Sequence, residues 1–551
     1  MGASIGHLGP SRSQNCKNLQ SAIDFPDEIS KEIESLCTLN RLHGPFKAPP
    51  LPNFRCSPLG TSTRKRNPKR RVFNHYSWPH SSSVNDETPD SEGEIVYESF
   101  VQAVKALQDA GKGSLLAKLD LKDAYRHIPV RSSDWNLLGF HWHGQFFYPV
   151  VLMFGGKSAP YIFNLFAEGL HWIIQRHIPA AIRHYLDDFL SIFKPTVQQA
   201  TANAAVQWTE KLGDELGLSF QPKKTIRPCM AIEFLGLELD SITMEARLPA
   251  EKLEYLRDLL ESWESRSKCS LKEIQELTGF LQFCVQVIPY AWTFIRRLIN
   301  FSMTFQSSFA RRHVPAYARA DIKWWLTYAR SWNGIHILEP KMPTINVYTD
   351  ASGSKGLGGT FEDRWFSARC PRRFRSRDIQ FKEIYAVLQA IIRWGHLWKH
   401  NHIIFNVDNT AIVYALASGT NRNGPVMNVT RMITMLAAQL EFSYSSFWIS
   451  SDENSIADSA SRFQYDRMFS TAHHLRKKPC SPRPHTHGIK HTLTSRPMSL
   501  FSYGMASLHQ PSQHTKQARN HTQISSSCTP NSEIRMGRMA RRDETAATQD
   551  D

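Results

Sequence analysis

Nine cysteines are scattered through 551 residues with no CxxC pair and no metal-ligand spacing, which leaves a zinc knuckle unsupported and favours a reducing compartment. The N-terminus lacks a basic segment followed by an apolar one, so the chain is expected not to be secreted and to act in the cytoplasm, the nucleus or both. Long apolar runs are also wanting. Leu277 to Ile295 is free of charge, but it holds Gln282, Gln286 and Pro289, and a proline breaks a spanning helix where lipid offers no substitute hydrogen bonds. A buried helix pair is expected there, with no membrane association. A protease Asp-Ser/Thr-Gly motif, an integrase-like zinc motif and a recognisable recombinase are likewise not found. Acidic charge is in deficit: 66 Lys and Arg against 50 Asp and Glu leave a formal charge of +16. Such an excess implies a polyanionic partner, because Lys and Arg gain affinity by displacing counterions from phosphates.

What is present is enough for more than one domain, with 41% hydrophobic residues to fill the cores. Tyr185-Leu186-Asp187-Asp188 stands between two β-prone, largely apolar runs, Ala181 to Leu186 and Phe189 to Phe193. That pattern predicts a hairpin with both carboxylates at its tight turn. A second signature, Leu119-Asp120-Leu121-Lys122-Asp123-Ala124-Tyr125, follows the apolar Leu115 to Leu119 and predicts Asp120 at a strand end. An Asp-Asp turn alone is ordinary surface chemistry; two segments that both bring carboxylates to element ends are not. Hard oxygen ligands of this kind can hold two Mg²⁺ ions, or Mn²⁺ in their place, roughly 4 Å apart, to activate a 3′-hydroxyl and steady a leaving pyrophosphate. Asp120, Asp187 and Asp188 are thus candidate catalytic residues and metal ligands.

Between roughly Ile33 and Phe463 further landmarks occur in order: Cys56-Ser57-Pro58-Leu59-Gly60, Ser83-Val84-Asn85-Asp86, and Phe154 to Phe163 between the two acidic motifs. In order and number these motifs resemble the palm of retroelement polymerases. They are most similar to the reverse transcriptase and ribonuclease H polyprotein of DIRS-type retrotransposons, which a tyrosine recombinase mobilises. The resemblance implies an RNA-directed DNA polymerase of α+β multidomain architecture, a right hand of fingers, palm and thumb followed by an α/β ribonuclease H-like domain. It implies an RNA template, a DNA primer, deoxynucleoside triphosphates and RNA–DNA hybrid as partners, with an element-encoded recombinase and a capsid-like protein beside them.

Five regions are expected on this basis. Residues 1–51 form an irregular leader with one helix in Pro26 to Leu42, 52–240 the fingers and palm, and 241–340 the helical thumb and connection. Residues 341–464 form the ribonuclease H-like domain and 465–551 a disordered basic tail. In the third region Leu253, Leu256, Leu259 and Leu260 recur at helical spacing, and Ser270 with Glu273 has the pattern of a capping box. In the fourth, Ile345 to Thr349 is a strand ending at Asp350, and Phe381 to Trp394 has an apolar helical face with Glu383 beside it. Ile403 to Val407 ends at Asp408, and a short helix after Ile449 carries Asp458. Singly, each carboxylate reads as an N-cap or an exposed charge. Together, in strand, helix, strand, helix order, they resemble the two-metal site of the ribonuclease H fold. One departure is visible: a Gly-His pair common in that family before the last carboxylate is replaced by Ser450-Ser451-Asp452-Glu453-Asn454.

Nucleotide binding follows from the same resemblance. Within the basic run Arg64 to Arg71, Lys65 and Arg71 resemble triphosphate contacts, although such a run also suits a nuclear-localisation signal or a solvated face. Tyr125 resembles a steric gate against the ribose 2′-hydroxyl; the competing role is packing in the helix after Asp120. Phe154, where retroviral enzymes usually carry Gln, completes the expected set with Gly155 and Lys223, and Phe234-Leu235-Gly236 resembles a primer grip. His473, His474, His485, His487 and His491 have no cysteine or carboxylate partner at ligand spacing. The alternative function is a catalytically inactive scaffold that keeps the fold for nucleic-acid binding, against which the intact carboxylates in both sites argue.

Overall fold

The strand Leu115–Asp120 is apolar at all but its fourth and last positions, a composition that demands cover on both faces. In the computed structural model, which describes residues 2–10, 12–64, 67–288, 291–331, 335–336 and 343–480, it lies inside a four-stranded antiparallel sheet. The order is Ile226–Cys229, Leu115–Asp120, Asp188–Phe193, Ala180–Tyr185. Ala117, Leu119 and Phe189 join one core with Phe163, Ala167, Leu170 and Ile174 of the helix Ala159–His177. Leu116, Leu190 and Ile192 join a second core with Phe100, Ala103 and Leu107 of the helix Phe100–Ala110. Because each face has its own core, a one-residue slip of register would turn every side chain the wrong way. The register so fixed sets Asp188 opposite Asp120.

The leader is more integrated than its irregular sequence predicts. Gln14–Asn15 pairs in parallel with Arg55–Cys56, and Leu42–Phe46 pairs with Gln145–Pro149. The helix Pro26–Thr38 buries Ile29 and Leu36, and Ile5 and Ala22 enter the first core. Each segment adds one or two apolar side chains to a core built elsewhere, so no local periodicity announces it.

The second core continues into four helices, Ala250–Glu264, Leu271–Cys284, Arg296–Ser302 and Ala316–Ser331, through Leu256, Leu260, Trp263, Leu277, Leu298 and Trp325. The helix Leu271–Cys284 starts at a capping box in which Ser270 Oγ accepts from Glu273 N and the Glu273 side chain accepts from Ser270 N. Most of the charge-free stretch is accounted for by this helix and by a short 3₁₀ turn at Ala291–Phe294. Pro289 lies outside the described residues. Among the described residues no helix is long and apolar enough to cross a membrane.

A second sheet of five strands runs in the order Arg364–Arg369, Gly356–Phe361, Thr344–Ala351, His402–Val407, Ser443–Trp448. The first three are antiparallel to their neighbours and the last three parallel. Ile384, Val387 and Ile391 of the helix Ile379–Trp394 fill its core with Val429 and Ile433 of Gly424–Gln439. Gly358 pairs with Asp350, and a Cβ there would lie 2.4 Å from Ala457 O, so only glycine lets the helix Ser455–Ser461 come down beside Asp350. The helix Gly424–Gln439 also touches the preceding helical region: Arg431 Nη2 donates to Asp321 Oδ2 at 3.1 Å and to the Thr293 carbonyl at 3.0 Å.

The expected structureless tail differs from the structure at its start. Tyr465–Thr471 is a helix, and Met468, Ala472 and Leu475 bury against Trp365 and Ala460. Three apolar positions in a polar background are too few to show helical periodicity, but they suffice to cap one tryptophan. The remainder of that region, residues 481–551 with His485, His487 and His491, lies outside the described residues, as does Lys65.

Candidate active site

Asp187 sits in the two-residue turn between Ala180–Tyr185 and Asp188–Phe193, where Leu186 takes a left-handed φ of 54°. Leu121 N donates to the Asp187 carbonyl at 2.8 Å, tying the turn to the end of the strand that carries Asp120. Three carboxylates from two segments thus converge. Burial, and then the charges of Asp188 and Asp120, push Asp187 up to about 6; burial is also the leading cause that raises Asp188. The price of crowding like charges is met by cations: Lys224 Nζ donates to Asp120 Oδ1 at 2.7 Å and Oδ2 at 2.9 Å, and Lys118 Nζ lies 3.7 Å from Asp188 Oδ1. An ammonium held between the oxygens of one carboxylate beside two others marks a place where positive charge is wanted.

Tyr125, in the 3₁₀ turn Ala124–His127, meets the Phe154 ring at 5.2 Å and the Phe163 ring at 5.5 Å, both edge-on. Burial pushes its hydroxyl up to about 12, with the Asp187 charge the next cause. The structure therefore brings Tyr125 and Phe154 together beside the carboxylates. Gly155 has φ +104°, and a Cβ there would lie 2.1 Å from Asn74 O, so the loop needs glycine at this point. Asn85 braces the same loop, donating to Gly155 O and accepting from Lys157 N, each at 2.8 Å. Its landmark motif is visible in the sequence, its bracing role is not. Arg71 is exposed on the strand Asn67–Asn74 opposite Ser62, away from any contact with the three carboxylates, while Arg70 stacks over the Phe25 ring at 3.1 Å. Lys223 is exposed on the turn Pro222–Lys224; its neighbour Lys224 is the lysine that reaches Asp120.

The second sheet gathers another cluster. One carboxylate oxygen from each of Asp350, Glu383 and Asp408 lies within 4.8 Å of the others. Burial, then Asp408 and Asp458, raises Asp350 to about 6; burial, then Asp350, raises Glu383 well above the usual carboxylate range. Asp350 Oδ2 and Glu383 Oε2 are buried and have no hydrogen-bond partner, which suits a site that receives a cation. Asp458 is held by Arg462 Nε at 2.5 Å and Arg467 Nη1 at 3.4 Å. In the loop that lacks the Gly-His pair, Ser451 Oγ donates to Asp408 Oδ2 at 3.1 Å.

Comparison with known proteins finds a match over the segment that carries the first cluster. Residues 71–239 match the family model of the reverse transcriptase (RNA-dependent DNA polymerase). The genome polyprotein of Petunia vein clearing virus (isolate Shepherd) is 24% identical over 314 residues, 54% of this chain and 13% of that protein. Protein P of duck hepatitis B virus (strain United States/DHBV-16) is 24% identical over 200 residues, 35% of this chain and 23% of that protein. The chain thus spans less than a quarter of the length of these curated relatives. In fold it is similar to the foamy viral protease-reverse transcriptase solved with double-stranded DNA, at a TM-score of 0.50 and 16% identity over 82% of this chain and 88% of that one. A matching family over the segment that carries Asp120, Asp187 and Asp188, and a shared polymerase fold, lead to one conclusion: the chain carries a reverse transcriptase domain.

Proposed function

We propose that the protein is an RNA-directed DNA polymerase that joins deoxynucleotides to a DNA primer on an RNA template, and that its second domain is a ribonuclease H that cuts RNA in the resulting hybrid. The observation that carries the first activity is the convergence of Asp120, Asp187 and Asp188 in one register-fixed cluster, with Asp187 raised by its burial and then by the charges of Asp188 and Asp120. The three carboxylates would hold two Mg²⁺ ions, with Mn²⁺ as a substitute, and these supply activation of the primer hydroxyl and neutralisation of the leaving pyrophosphate when bound. Tyr125 and Phe154 wall the place of the incoming sugar, and the aromatic ring excludes a 2′-hydroxyl by its bulk. Lys224 aligns the Asp120 carboxylate, and Asn85 holds the loop that presents Phe154 and Gly155. The exposed Arg71, Lys223 and the basic run with Lys65 serve the triphosphate and the nucleic-acid backbone.

For the second activity, the strand order with three parallel central and outer strands, together with Asp350, Glu383, Asp408 and Asp458, supports a ribonuclease H fold. Its orphaned carboxylate oxygens fit a two-metal centre for phosphodiester hydrolysis. Regions 52–240, 241–340 and 341–464 then correspond to fingers and palm, thumb and connection, and ribonuclease H. Phe154 and the order of motifs favour a DIRS-type retrotransposon as the source, with its recombinase and capsid-like protein as partners and the cytoplasm or nucleus as the place of action. Primer extension on an RNA template tests the polymerase. Hybrid cleavage by wild type and Asp408→Asn tests the nuclease.

A further inference from the structure

On the helix Ala159–His177, Glu168 and His171 are three residues apart and so share a face. That face meets His184 on the strand Ala180–Tyr185, which runs straight into the Asp187 turn. One ligand atom from each of the three residues lies within 4.8 Å of the others. His171 Nδ1 and His184 Nδ1 are 2.8 Å apart, and the ring planes stand at 85°. Two imidazole nitrogens in this relation share one proton, so at least one bare lone pair points at the gap. Tetrahedral Zn²⁺ with bonds of about 2.0–2.1 Å needs ligand nitrogens about 3.3 Å apart, so an opening of about half an ångström would seat the ion where the proton now lies.

The surroundings favour a cation and fix its ligands. His184 is buried and its ring stacks on Phe189 at 5.1 Å, leaving it little freedom. Glu168 Oε1 lies 3.8 Å from His184 Nε2, the ring nitrogen away from the gap, so its exposed side chain has to turn to bring an oxygen to an ion at the two Nδ1 atoms. Glu98, a neighbour of Glu168, has a buried Oε1 with no hydrogen bond, 3.4 Å from Arg183 Nε. With neutral imidazoles, Glu98, Glu168 and Arg183 sum to one negative charge. Glu168 is exposed, so the site opens to solvent. We infer that Glu168, His171 and His184 form a zinc site with an open fourth position, which clamps the helix Ala159–His177 to the strand that feeds the Asp187 turn. Two imidazoles and one carboxylate suit Zn²⁺, whereas Mg²⁺ keeps to oxygen donors and water, so this site and the carboxylate clusters take different ions.

The test uses the full chain equilibrated with Zn²⁺ alone as the added transition metal, in excess Mg²⁺ that occupies the carboxylate clusters. Bound zinc is measured after removal of free ion, for wild type, His171→Ala and Glu168→Gln; both substituted positions are at least partly exposed, which spares the buried His184. Wild type should hold one more equivalent of zinc than His171→Ala, and Glu168→Gln should bind at least tenfold more weakly than wild type. Zinc should raise the melting temperature of wild type more than that of His171→Ala. Substituted Co²⁺ should give visible d–d bands that His171→Ala loses. Equal zinc content in wild type and His171→Ala, or an identical zinc-induced shift in melting temperature, would overturn the assignment.

Discussion

One buried carboxylate ties the helical region to the five-stranded domain, and removing its partner has a calculable effect. Asp321 is fully buried and accepts from Arg297 Nε at 2.8 Å and from Arg431 Nη2 at 3.1 Å. Burial lowers Arg431 to about 10, so it stays charged at neutral pH. Arg431→Met keeps most of the side-chain length but removes two hydrogen bonds from a charged guanidinium, one to Asp321 and one to Thr293 O. Each contributes about 1.5–3 kcal/mol. Arg297 remains on Asp321, so the full cost of a stranded buried charge is not reached; the variant is also relieved of desolvating the Arg431 guanidinium, and the net loss should be about 2–3 kcal/mol. Hydrogen exchange by mass spectrometry localises the loss: amides of Ala316–Ser331 and Gly424–Gln439 should exchange about 30- to 150-fold faster. Asp321→Asn should cost more, because it leaves two guanidinium groups without a carboxylate. The double variant should be less destabilised than the sum of the singles by about 0.5–3 kcal/mol. Unchanged exchange in Arg431→Met, or strict additivity, would refute the tie.

Three further outcomes are expected. Tyr125→Val should raise ribonucleotide incorporation relative to deoxyribonucleotide by about tenfold or more in single-nucleotide addition, and an unaltered ratio would return Tyr125 to a packing role against Phe154 and Phe163. Met468→Ala should destabilise the five-stranded domain by about 2–5 kcal/mol, and a chain ending at Cys480 should fold where one ending at Gln464 melts earlier, since the latter bares Trp365. Asp408→Asn should abolish cleavage of RNA in RNA–DNA hybrid in single-turnover assays yet spare DNA synthesis, because Asp408 belongs to the second carboxylate cluster alone; equal loss of both would contradict two separate sites.

The hairpin and the strand ends at Asp120, Asp350 and Asp408 were legible because an apolar run stops at each carboxylate, and the capping box because Ser270 and Glu273 stand three apart. Contacts between distant segments were not. Arg431 and Asp321 are 110 positions apart, and nothing local in either helix marks the pair. Two adjacent lysines, Lys223 and Lys224, are chemically the same in sequence; the 3₁₀ turn alone decides which one reaches Asp120. Ser451 likewise looks like loop polarity until the strand ending at Val407 brings Asp408 within reach of its hydroxyl. The leader hid for a related reason: Ile5, Ala22 and Leu42 each give a single side chain to a core whose periodicity lies elsewhere.

The central claim is nucleotide addition by the Asp120, Asp187 and Asp188 cluster. It is tested most directly by extension of a labelled DNA primer on an RNA template by the purified full chain, with Mg²⁺ and with Mn²⁺, for wild type, Asp120→Asn and Asp187→Asn. Wild type should extend the primer. Each variant should lose about 10²–10³-fold in rate, the scale on which a transition state suffers when a fixed electrostatic partner is removed, while binding the duplex as wild type does. Extension by Asp187→Asn at the wild-type rate would contradict the account.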